Sequence, residues 1–87
     1  MSEWHLRWSK GGEARVLSAS ADTVTLESTT PSPPGSRIDG ALVGSGRMVR
    51  VKVHGSKREE SGRFRIDGRP IDLTREAREE LVALAGT

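Results

Sequence analysis

Apolar residues recur at every second position through most of the chain, the spacing of strands that bury one face. Trp4, Leu6 and Trp8 alternate with His5 and Arg7, predicting a first strand over 4–8, and the Gly11-Gly12 pair after it is a hairpin turn signal. Residues 14–18 read as a second strand. Residues 23–28, where Val24 and Leu26 alternate with Thr23, Thr25 and Glu27, read as a third, supported by β-branched content. The stretch 28–36 holds three prolines among Ser, Thr and Gly and is a loop, because proline fixes φ and removes a donor. A short strand over 38–43, weakened by Gly40, leads through the Gly44-Ser45-Gly46 turn into 47–54, where Val49, Val51 and Val53 alternate with Arg50 and Lys52. Residues 55–62 are polar and charged and predict a hairpin loop. Residues 63–67 return with Phe64 and Ile66 on one face, and Gly68-Arg69-Pro70 predicts a bend.

From Thr74 the period lengthens. Thr74 is a suitable N-cap, Glu76 puts negative charge in the first turn, and Leu73, Ala77, Leu81, Leu84 and Ala85 fall on one side of a helix over 74–85 that Gly86 ends. Short strands with closely spaced turns predict a mainly β fold, a small barrel or sandwich whose open end or face the helix covers. With no internal repeat and no linker, 1–87 reads as one domain: an N-terminal strand and turn over 1–13, barrel strands over 14–73 and the helix over 74–85.

The chain has 87 residues, of which 33% are apolar and only Trp4, Trp8 and Phe64 are aromatic, so its core must rest on aliphatic side chains. So small a core would gain from self-association or a partner protein. There is no cysteine, which removes disulfides, thiolate metal sites and thiol nucleophiles. No charged start precedes an apolar run and no stretch has the length of a membrane span, so the expected location is the cytoplasm. Abundant Arg, Ala and Gly point to a GC-rich bacterial genome.

Catalysis needs converging acid, base or nucleophile groups, and none stands out. His5 and His54 fall at polar-facing strand positions without ligand spacing and read as solvated. The glycine pairs around 44–46 and at Gly55 lack the spacing of a phosphate-gripping loop. The chain therefore reads as a binding protein rather than an enzyme, with no cofactor and no metal. Its charge is more informative. Residues 47–69 hold eight cations against Glu59, Glu60 and Asp67, although the whole chain carries only +2. If the strands bearing Arg50, Lys52 and Arg63, Arg65 pair as a hairpin, all four cations share the face opposite Val49, Val51, Phe64 and Ile66. That face is either a solvated outer surface or an anion-binding one. No aromatic is interleaved with it, which argues against nucleic acid as the partner. Trp4, Leu6 and Trp8 share a strand face, which means core or an apolar interface.

The segments Arg15-Val16-Leu17-Ser18, Thr23-Val24-Thr25-Leu26, the Pro33-Pro34-Gly35-Ser36 loop, the 49–53 strand, Gly62-Arg63-Phe64-Arg65-Ile66 and the closing run from Ile71 to Leu81 together resemble a PilZ domain over about residues 14–85. That resemblance implies an antiparallel six-stranded β-barrel with one C-terminal α-helix and, in many members, a receptor for the bacterial second messenger cyclic di-GMP. The family's ligand signature pairs an Arg-x-x-x-Arg stretch with an (Asp/Asn)-x-Ser-x-x-Gly stretch. The second would align with residues 18–23, where only Ser20 matches: Ser18 replaces the acid or amide and Thr23 the glycine. No Arg-x-x-x-Arg occurs upstream, leaving Arg7, Lys10 and Arg15 near Ser18 and Ser20 as substitutes for the clamp. Two arginines supply the bidentate grip on guanine edges and phosphates, so cyclic di-GMP binding is expected to be weak or absent. The resemblance then implies a signalling adaptor acting by protein-protein interaction, and no catalytic residue.

Overall fold

The period-two alternation becomes six strands rolled into a closed antiparallel barrel, followed by one helix. The computed structural model describes residues 4–20 and 22–85. Its strands are β1 (Leu6–Trp8), β2 (Glu13–Ala19), β3 (Val24–Ser28), β4 (Arg37–Leu42), β5 (Met48–Arg58) and β6 (Phe64–Ile71), and α1 spans Arg75–Ala85. Around the barrel the order is β1-β2-β3-β6-β5-β4. Ring closure leaves no free sheet edge. It is completed by β1, which pairs with β2 through Leu6–Ala14 and Arg7–Glu13 and with β4 through Leu6–Leu42, Arg7–Ala41 and Trp8–Gly40.

The inward positions form one core, in which Leu6, Trp8, Val16, Leu26, Val51, Val53 and Ile66 are joined by Leu81 from the helix. Burying such side chains is the main favourable contribution to folding, about 1.5–3 kcal/mol for each large one. The Trp8 ring lies on Gly40 so closely that a Cβ there would stand 2.8 Å from it, which explains the glycine in mid-strand. The helix packs against β2. Thr74 Oγ1 accepts the Ala77 N–H at 3.2 Å as the expected N-cap, Ala77 and Leu81 are buried, and Arg47 Nη1 reaches Glu80 Oε1 at 2.9 Å. The Gly86 stop lies outside the described residues, as does the start of the chain before Trp4. Among the described residues no helix is long and apolar enough to cross a membrane.

Three expectations need correction. The 55–62 segment is not all loop: β5 runs on to Arg58 through a bulge between Val53 and Gly55, and the turn is confined to 59–62, where the Gly62 N–H donates to Glu59 O at 3.0 Å. Gly68-Arg69-Pro70 is strand rather than bend. β6 continues to Ile71, and because its pairing with β3 ends at Val24–Gly68, Pro70 sits where the strand has one neighbour and its missing donor is tolerated. His5 is half-buried rather than solvated. Its Nδ1 accepts the Val16 N–H at 3.0 Å, serving a donor just beyond the end of the β1–β2 ladder.

Candidate functional site

The residues that could stand in for a dinucleotide clamp are not gathered. Lys10 lies in the β1–β2 turn and Ser20 in the β2–β3 hairpin, at opposite ends of the seven-residue β2. At strand rise that separates them by about 20 Å. Ser20 is already engaged: its Oγ accepts the N–H groups of Thr23 at 3.2 Å and Asp22 at 3.4 Å and shares a hydrogen bond with Thr23 Oγ1 at 3.0 Å. Such a serine holds the turn. Ser18 is exposed opposite Thr25, beside the bulge in β2, and Arg7 is exposed on β1.

Arg15 is tied down from its own sheet. Its Nη2 donates to Glu27 Oε2 at 2.8 Å, and Arg63 Nη1 donates to Glu27 Oε1 at 2.8 Å, so one carboxylate on β3 holds two guanidinium groups. The bond from Arg63 is the chief reason the Glu27 pKa lies below its ordinary value, outweighing the opposing effect of burial; Arg15 adds to it. Arg15 Nε is buried without a partner. Arg63 also lies over the Trp4 ring, 4.8 Å from its centroid.

Of the two readings of the Trp4, Leu6 and Trp8 face, core or apolar interface, Leu6 and Trp8 take the first. Leu6 is fully buried and Trp8 is 6% exposed, because the first strand closes the barrel and turns both side chains into it. Trp4 is half-buried beneath Arg63. Trp8 is instead anchored by a buried polar group that sequence reasoning missed: its Nε1 donates to Ser28 Oγ at 2.9 Å, and Ser28 Oγ donates to Thr30 O at 2.8 Å. Ser28 looked like the first residue of a loop, and only the position of Trp8 across the barrel gives it this role.

The basic hairpin face is also rearranged. The bulge shifts the register, so Arg65 stands opposite Lys57, while Arg50 stands opposite Ile71 and Lys52 opposite Arg69. Arg63 precedes β6 and turns to Glu27. The four cations thus belong to separate clusters. Arg50 donates through Nε to Asp39 Oδ1 at 2.7 Å and lies 3.5 Å from Asp72 Oδ2, and the bond to Asp39 is what chiefly raises its pKa. Arg65 shares a shallow surface depression with Lys57, Arg58, Glu59 and Glu60.

At the barrel end opposite the β2–β3 hairpin, a cavity of about 170 Å³ is lined by Trp8, Lys10, Gly11, Thr30, Pro31, Ser32, Ile38 and Asp39. It is small beside the roughly 300–1,000 Å³ of ordinary ligand pockets. Among the described residues no group of three or more His, Asp or Glu side chains could hold a metal ion. No protein-family model, curated protein or solved structure matches the chain.

Proposed function

We propose that the chain is a PilZ-like signalling adaptor, a non-enzymatic module that docks onto a partner protein and holds cyclic di-GMP weakly or not at all. The observation that carries this reading is the dispersal of the clamp substitutes: Arg15 is bound to Glu27, Ser20 is spent on its own turn, and Lys10 lies at the far end of β2. A dinucleotide would have to break the Arg15–Glu27 pair and recruit a distant lysine, for which nothing in the site compensates. A closed six-stranded barrel with one C-terminal helix is the architecture that the resemblance implies.

Calorimetric titration with cyclic di-GMP at low salt tests it. The expected result is no saturable heat at ligand concentrations of tens of micromolar. Saturable binding that is lost in Arg15→Ala would overturn the adaptor reading in favour of a receptor.

A further inference from the structure

The register places three cations directly side by side on the outer face of the barrel. Arg37 on β4 is the cross-strand partner of Lys52 on β5, and Lys52 is the partner of Arg69 on β6. All three side chains are exposed, and none has an ion pair or side-chain hydrogen bond among the described residues. Directly opposed side chains have Cβ atoms about 4.5–5.5 Å apart, and like charges at that spacing destabilise a sheet. Neither neighbouring carboxylate forms an ion pair with the row: Asp39 pairs with Arg50, and Asp67 accepts from Thr25 Oγ1 at 3.0 Å. Arg15, Arg47, Arg50 and Arg63, by contrast, each reach a carboxylate.

We infer that the Arg37–Lys52–Arg69 row is the docking surface for an acidic segment of a partner protein. Charge complementarity defines the occupant's sign, and the surroundings define its kind. The row lies on a convex barrel wall rather than in a cavity, so a small free anion would meet three solvated cations with no enclosure, each contact contributing little. The occupant must be held by further contacts, as a protein segment is. A long polyanion such as nucleic acid would find no aromatic ring in the row to stack on. On the same outer face of β5, two positions before Arg50, Met48 is 60% exposed and offers an apolar contact at the rim. Lys52 and Met48 are about 13 Å apart at strand rise, within one ordinary protein-protein footprint.

This surface rests on the adaptor reading, and the two fail separately. Hexaglutamate is the probe, titrated into the isotope-labelled 87-residue chain at low ionic strength and followed by amide chemical shifts. The expected result is that shifts concentrate on residues 36–38, 51–53 and 68–70, that added salt weakens binding, and that Lys52→Glu lowers affinity about tenfold or more while preserving the dispersion of the folded spectrum. A control reversal in the other cationic cluster, Lys57→Glu, should change affinity no more than about twofold. No shift at the row, shifts centred on Lys57 and Arg65, or equal losses in the two variants would each overturn the assignment. So would hexathymidylate or inorganic phosphate perturbing the row at least as strongly as hexaglutamate, which would make the site one for nucleic acid or for a free anion. Shifts at 18–23 on adding cyclic di-GMP would instead overturn the adaptor reading and leave the row standing.

Discussion

Trp8 Nε1 donates its hydrogen to Ser28 Oγ at 2.9 Å inside the barrel, joining the strand that closes the ring to the strand two places round it. Ser28 is completely buried, and its hydroxyl also receives the Thr30 N–H at 3.2 Å. Ser28→Ala leaves a buried indole N–H without an acceptor. It should destabilise the fold by about 1–3 kcal/mol, read as a lower urea midpoint with an unchanged slope.

Gly40→Ala tests the same anchor from the other side. Its Cβ would meet the Trp8 ring at 2.8 Å and Arg7 O at 3.0 Å, and neither a buried indole nor a paired backbone yields easily. The helpful effect of replacing glycine in a strand is outweighed by this overpacking, which should cost about 1–3 kcal/mol. Thermal unfolding and tryptophan fluorescence report the loss together.

Two groups make stability fall with acid. Burial, then the Arg15 charge, lowers the His5 pKa from its ordinary 6.5. Between the lowered value and 6.5 the unfolded chain binds a proton that the folded chain refuses, so stability drops as pH falls below 6.5. Glu27 is likewise held below its ordinary 4.5 by Arg63 and Arg15, and its contribution, present above 4.5, is lost as pH falls through the lowered value. Urea midpoints measured from about pH 8 to about pH 3 should show both declines, and His5→Gln should remove the first alone.

Lys52→Glu should stabilise the protein. It converts two opposed like-charge pairs, with Arg37 and with Arg69, into opposite-charge pairs. Each cross-strand change is worth about 0.2–1 kcal/mol, and the two together should raise the melting temperature of a domain of this size by about 2–16 °C. A gain in stability accompanied by loss of acidic-peptide binding is the pattern of a surface kept for function at some expense to the fold.

The elements were largely legible because burial leaves a periodic trace. The alternation of Val49, Val51 and Val53 marked β5, and Thr74 with its apolar stripe marked α1, since both are local patterns. Register was not legible. The Val53/Gly55 bulge moves the partner of Lys52 to Arg69, and no run of residues announces it. Arg37 escaped notice for the same reason, lying fifteen positions from Lys52 in sequence and directly beside it in the sheet. The alternation of Trp8 with Leu6 describes a face without saying whether it turns into the core or toward a partner. His5 read as solvated and Ser28 as a strand end entering a loop, and only tertiary neighbours gave them backbone and indole partners.

The three-residue β1 that completes the ring has a consequence for how the molecule comes apart. Removing Leu6, Arg7 and Trp8 from the seam would bare the flanks of β2 and β4 at once, two complementary unpaired borders on a single molecule. Each would then present the unpaired N–H and C=O groups that the closed ring conceals, so release of the first strand alone would be enough to open the sheet to a neighbour.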